Sequence, residues 1–276
     1  MSSNPFHDKR YFIVYGPNDS GLHDLLQWND FWNLQGHPKS IFKLEIFYSD
    51  FSGPNQSLFN FNTIYKNELP GAAWGWHFRF ADFQNFDQIQ KNNGYVLDTV
   101  SHSHLKHSTS GHITRRYVGK WSYSPEEVGK SFLIQYRNFD ELATDASSKW
   151  DRSGVTLNDI ALIISYETSP EFIGIYRESS GGYKLFGHHS FSDWENTFIT
   201  ENQQNWRIKI CKTWNEGGHQ RFLSVYKPGH PGEGYGYHPD VLPSEAAMTV
   251  SQTARDLHIT PVDICTFSVD GSTNYH

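Results

Sequence analysis

The sequence predicts an α+β fold that is mainly β: an antiparallel β-sandwich with a few short peripheral helices. Three observations carry this. Strand-like apolar runs recur along the whole chain. Helix signals are fewer and do not alternate regularly with the strands, which argues against a doubly wound parallel sheet. The apolar surface is carried by large rings, 9 Trp, 15 Tyr and 20 Phe, which bury much area at low entropy cost. The 276 residues are read as one compact domain, 1–276, with an N-terminal helical arm at about 19–33 and a β-rich body over 41–276.

The strand signals come first. Residues 42–48 alternate, with Phe42, Leu44, Ile46 and Tyr48 on one face. Residues 74–80 alternate more strictly, with Trp74, Trp76, Phe78 and Phe80 opposite His77 and Arg79. That row suits a core face better than a stacking platform for sugars. Further runs fall at 132–136, 160–166, 172–177, 206–212, 222–226 and 262–269. The run from Ile160 is continuous, as in a strand covered on both faces. Runs 206–212 and 222–226 read as a hairpin, because paired glycines in Asn215-Glu-Gly-Gly-His can supply positive φ. Residues 227–239, rich in Gly and Pro, read as a surface loop. No internal repeat and no low-complexity linker stands out.

Helix signals are better formed than numerous. Ser20 is placed to cap a helix over 21–32, with Leu22, Leu25, Leu26 and Trp32 on one side. Ser124-Pro-Glu-Glu and Ser192-Asp-Trp-Glu are capping boxes, the first opening only a short helix. Residues 139–150 form a further candidate. Ser244 is placed to cap a helix over 245–257 with a stripe of Ala247, Val250, Ala254 and Leu257, which Pro261 ends.

Charge and cysteine content narrow the function. A net charge of −7 argues against nucleic-acid binding, which needs a basic field. No apolar run reaches membrane-spanning length, and the first residues lack the apolar core of a secretion signal. A reducing cytosol is therefore expected. Cys211 and Cys265 fall in strand-like runs without metal-type spacing; one bridge between them is left open.

Candidate chemistry is sparse. His102, His104 and His107, with His112 nearby, form the densest histidine cluster, and His at i and i+2 on a strand share a side. No Asp, Glu or Cys joins them, so the segment reads as a polar loop before a metal site. Tyr237-His-Pro-Asp240 contains the His-x-Asp of an iron triad but lacks a later partner strand, and reads as a turn. Gly129-Lys-Ser131 lacks the upstream glycine of a phosphate loop. Gly232-Glu-Gly-Tyr-Gly236 reads as a flexible loop. No catalytic residue and no cofactor is expected.

Three stretches carry a family likeness: the segment near Leu25–Trp32 leading into Ile41–Gly53, the hairpin Arg207–Lys212 with Phe222–Tyr226, and the late helix before Val262-Asp-Ile-Cys-Thr-Phe. In these the chain resembles the polyhedrins of cypoviruses, which crystallise in infected cells around virus particles. The resemblance implies a homotrimeric β-sandwich whose projecting helix locks neighbours into a lattice that dissolves in alkali. On this chain the locking residues would be Leu22, Leu25, Leu26, Trp28 and Trp32. It further implies copies of the chain and a virus capsid as partners, and occlusion bodies in the host-cell cytoplasm as the location. The alternative expectation is a cytosolic carbohydrate-binding lectin or toxin-like module, which predicts an exposed cluster of rings flanked by Asn, Asp or His. An enzyme is the third, with the His102–His112 segment as its first place to look.

Overall fold

The computed structural model describes residues 9–17, 25–28, 41–48, 59–65, 72–77, 79–106, 113–163, 170–179, 181–216, 219–242 and 245–268. In order these hold β1 (Lys9–Pro17), β2 (Leu25–Trp28), β3 (Ile41–Tyr48), β4 (Phe59–Tyr65), β5 (Ala72–His77), α1 (Phe80–Asn92), β6 (Tyr95–Lys106) and β7 (Ile113–Tyr123). A 3-10 turn (Pro125–Lys130) leads to β8 (Ser131–Tyr136), α2 (Phe139–Ser153), β9 (Val155–Ile163), β10 (Glu171–Glu178) and β11 (Lys184–His188). The chain continues with α3 (Phe191–Gln203), β12 (Trp206–Glu216), β13 (His219–Pro228), β14 (Gly236–Val241), α4 (Ala246–Leu257) and β15 (Ile259–Ser268).

The protein is mainly β with antiparallel sheets, as expected, but the strands do not build one sandwich. They form five three-stranded sheets, ordered β2-β4-β3, β5-β7-β6, β8-β10-β9, β11-β13-β12 and β14-β1-β15. Each is a unit whose third strand lies between its first and second. The last unit takes its third strand, β1, from the start of the chain.

No internal repeat stands out in the sequence, but the strand register shows one. The central strands carry Phe61-Asn-Thr-Ile-Tyr65, Tyr117-Val-Gly-Lys-Trp121, Phe172-Ile-Gly-Ile-Tyr176, Phe222-Leu-Ser-Val-Tyr226 and Tyr11-Phe-Ile-Val-Tyr15. The first ring of each pairs with the last residue of the first strand: Trp28, His77, Tyr136, His188 and Val241. Beside the second ring, one residue of the neighbouring strand is left out of the ladder: Phe42, Asp98, Asn158, Lys209 and Val262. Such bulges bend a strand and increase its twist. In four units the residue before the second strand is left-handed: Gly94, Gly154, Asn205 and His258, with φ of 83°, 64°, 64° and 52°. These close the helices, as left-handed residues commonly do.

The helices are wedged between successive sheets, not laid on the periphery. Leu142 and Ala146 of α2 share one core with Phe172 and Tyr176 of their own sheet and Leu223 and Val225 of the next. Trp194 and Phe198 of α3 do the same with Phe222 and Tyr226, and with Phe12 and Val14. Phe83 of α1 packs on Tyr117, Trp121, Ile173 and Ile175. Gly187 of β11 shows how closely a helix approaches the following sheet, since a Cβ there would lie 2.6 Å from the Phe139 ring. The second strands neighbour one another in sequence: β3 beside β6, β6 beside β9, β9 beside β12, β12 beside β15, and β15 beside β3. The units therefore close a five-membered ring.

Several local expectations change. The helix over 21–32 is not formed where the structure describes it: Leu25, Leu26 and Trp28 lie in β2, hydrogen-bonded to β4. Leu22 and Trp32 lie outside the described residues. The helix expectation rests on apolar spacing, and backbone pairing with β4 holds residues 25–28 extended instead. Phe80 opens α1 instead of ending a strand, and the side chains of Trp74, Trp76 and Phe78 lie outside the described residues. Ser190, not Ser192, caps α3, accepting the Asp193 amide at 3.1 Å. His238-Pro-Asp240 belongs to β14 and is not a turn. Both cysteines are free and buried. The hairpin across residues 215–219 is present, with Glu216 paired to His219.

Ring closure depends on β1, whose Tyr11, Phe12, Ile13, Val14 and Tyr15 are at most 1% exposed. Burial of such side chains is worth about 1.5–3 kcal/mol each, together comparable to a domain's whole stability. Deleting residues 1–17 should therefore abolish the cooperative thermal transition followed by circular dichroism. A second expectation concerns acid. His188 is buried, donates to or accepts from Ser224 at 2.9 Å, and burial lowers its pKa to about 4. Because the folded value lies below the unfolded one, stability is intact above pH 6.5 and falls as pH drops from there towards 4. The loss from this group is on the order of 3 kcal/mol. In urea titrations across that window, His188→Asn should show a flatter dependence than the parent chain.

Candidate functional site between the third and fourth units

At the ring's centre, the second strands present edge amides that need partners. Asp159 of β9 accepts the Val100 amide at 3.2 Å and the Thr99 hydroxyl at 2.6 Å, both from β6 of the preceding unit. Asp263 of β15 repeats this two seams further on, accepting the Cys211 amide at 2.8 Å, with Lys212 Nζ at 3.3 Å. Between the second and third units, Asp98 at the bulge binds Lys120 at 2.7 Å and Arg177 at 2.6 Å, and accepts the Ser122 hydroxyl. Burial works to raise its pKa, but the two cations outweigh it and hold the carboxyl below its ordinary value. Lys120 takes the position held by Ile64, Ile175, Val225 and Val14 in the other units, which explains why it needs a carboxylate. These groups join units together.

A different arrangement lies where α2 ends against the fourth unit. Trp150 closes the last turn of α2, and Trp206 begins β12, so the two indoles come from adjacent units. Gly182, in the connection between β10 and β11, lies between them: a Cβ there would be 3.6 Å from Trp150 and 3.6 Å from Trp206. Tyr183 meets Trp150 edge-on, with centroids 6.2 Å apart at 84°. All three rings are half-buried. Lys184 Nζ lies 4.6 Å from the Trp206 ring and 2.6 Å from Glu201.

Beside Trp150, α2 contributes Asp145 and Lys149, joined at 2.6 Å. The Tyr136 hydroxyl donates to Asp145 and lies 2.8 Å from that of Tyr176. Burial opposes ionisation of Asp145, but Lys149 and the Tyr136 hydroxyl prevail and keep it a carboxylate. Burial raises the phenols of Tyr136, Tyr176 and Tyr183 well above their ordinary range, so they remain protonated. The Asp145 side chain is 34% exposed. The region thus offers rings and fixed acceptors, with its cations already held.

Of the histidine-rich segment that reads as a polar loop, the structure describes only part. His102 is buried, its ring 4.6 Å from that of Tyr117. His104 lies in β6 opposite Arg115. His107 and His112 lie outside the described residues. Among the described residues no group of three or more His, Cys, Asp or Glu could hold a metal, and no helix is long and apolar enough to cross a membrane. Sequence reasoning missed Trp150, Tyr183 and Trp206 as a group. The only local sign was Gly181-Gly182-Tyr183 between two strand-like runs. Comparison of the chain with family models, curated proteins and solved structures finds no match.

The seam carboxylates are expected to be structural. Asp159→Ala leaves a buried amide and hydroxyl unpaired, a loss of about 1–3 kcal/mol per group. Chemical denaturation should show the variant destabilised by about 3 kcal/mol with an unchanged m-value, and Asp159→Asn should recover part of it.

Proposed function

We propose that the chain is a non-catalytic recognition module, a ring scaffold that holds a ligand at the seam of its third and fourth units. One observation carries this: three half-buried rings gather around Gly182 while the ionisable groups beside them are paired or held protonated. Half-exposed rings held by a rigid frame favour contact at low entropy cost. A carboxylate tied to a lysine and a phenol with a raised pKa are poor nucleophiles and bases. This corresponds to the binding-module alternative drawn from composition. The matrix-protein reading leaned on a projecting helix bearing Leu25, Leu26 and Trp28, and those residues pair within a sheet.

The test sets binding against turnover. The chain should be retained on an array of glycans and peptides, and should leave chromogenic glycosides and esters unchanged over hours. Hydrolysis abolished by Asp145→Asn would replace this reading with an enzymatic one. Sedimentation should show a species whose size does not grow with concentration; steady growth into large assemblies would favour the matrix protein.

A further inference from the structure

We propose that Cys211 and Cys265 are a redox latch on the ring, a pair of thiols that a small disulfide such as oxidised glutathione converts into a bond between the fourth and fifth units. The two cysteines come from neighbouring second strands, β12 and β15. Cys211 pairs with Ser224 and Cys265 with Phe12, and paired residues of a sheet point to the same side. Both cysteines line one core, with Phe12, Trp194 and Phe222. The backbones are brought close as well: Asp263, two residues before Cys265 and on the same side of β15, accepts the Cys211 amide at 2.8 Å. The repeat gives an independent check. Val100 and Ala161 occupy the matching positions at the seam of the second and third units, where Asp159 accepts the Val100 amide at 3.2 Å, and they too share one core. An aliphatic pair fills that place, so packing alone does not call for two thiols.

The Cys265 Sγ lies 3.8 Å from the Phe12 carbonyl of β1, so a bond here would tie β12 to the strand pair that closes the ring. In the closed ring both thiols are at most 2% exposed, and burial with the adjacent Cys211 thiol pushes the Cys265 thiol up. The thiolate is the reacting species, so the pair is inert until the seam opens. Once it opens, one cysteine gives up its proton and its sulfur attacks a sulfur of the small disulfide. The S–S bond of that molecule breaks and one small thiolate leaves. The second cysteine, deprotonated in turn, attacks the mixed disulfide, forms the Cys211–Cys265 bond and expels the other small thiolate. The cysteines are oxidised by two electrons and the small disulfide is reduced by them. The two released protons convert the leaving thiolates to thiols. The loop so closed carries β13, β14 and α4, a length at which a cross-link restricts the unfolded chain strongly.

The full chain would be held with oxidised glutathione in urea just below its unfolding midpoint, where the seam opens, and then returned to buffer. Peptide mapping without reductant should find Cys211 joined to Cys265 within one chain. The oxidised chain should melt about 5 °C or more above the reduced one, and dithiothreitol should reverse the shift. The double variant Cys211→Val/Cys265→Ala copies the aliphatic pair of the other seam. It should fold, and its melting temperature should not respond to the oxidant. Stable glutathione adducts on both cysteines, bridges between chains, or a bridged chain that melts no higher than the reduced one would overturn the latch. So would two thiols that a maleimide labels in the same urea yet that form no bond to each other.

Discussion

The ring depends on central strands that are covered on both faces. Along Phe172–Tyr176, the outer residues Phe172 and Tyr176 face α2, while Ile173 and Ile175 face the core that holds Phe83 of α1. Phe222 and Tyr226 face α3, and Leu223 and Val225 face the core of α2. In β1, Tyr11 and Tyr15 belong with α4, and Phe12 and Val14 with α3. Each of these three strands therefore contributes to two consecutive cores. A lone unit would leave one of its faces in water, and a row of units would leave one at each end. Closing the ring removes both exposed ends, as in other repeat architectures whose units cannot bury a face alone.

This double coverage sets the polar chemistry of the seams. A three-stranded sheet has two edges, and the ring turns one of them inward, where unpaired amides are costly. Asp159 and Asp263 meet that cost at two seams by the same geometry, each accepting an amide from the preceding unit. At the seam where the equivalent position is Ile210, that solution is not used. Lys120 marks another departure: a lysine at a β-branched position is tolerated because Asp98, displaced by the bulge, can reach it and Arg177 together. The framework repeats, while its polar fittings are particular to each seam.

Much of this was legible in the sequence, for physical reasons. Continuous runs such as Ile160 onward and Phe172–Arg177 read as strands because both faces are buried, and the glycine-closed hairpin read correctly because its turn chemistry is local. The same continuous burial suggested a sandwich, since one sequence pattern serves either architecture. The repeat escaped notice because its shared positions are few, its connections differ in length, and one copy is split between the two ends of the chain. α1 was missed because Gln, Asn and Asp dominate it, leaving Phe83 as its main buried anchor. Of the site, Gly181-Gly182 and the tryptophans were visible, but their convergence needed the ring to bring α2 against β12.

The third seam differs from its neighbours in what its rings touch. Within the second unit, Tyr95 and Tyr123 meet each other at 5.3 Å, and a Cβ on Gly94 would lie 2.9 Å from Tyr123. Between the fourth and fifth, Arg207 lies over Tyr235, Tyr235 meets Phe198, and a Cβ on Gly229 would strike Arg207 at 2.4 Å. In both places the aromatic surface is spent internally. At Gly182 a Cβ would meet each of the two indoles at ordinary van der Waals distance, 3.6 Å. Rings packed only for stability would be expected to close on one another, because a gap forfeits dispersion contacts. Trp150, Tyr183 and Trp206 instead stay half-buried around Gly182, and this is the surface on which the recognition reading rests.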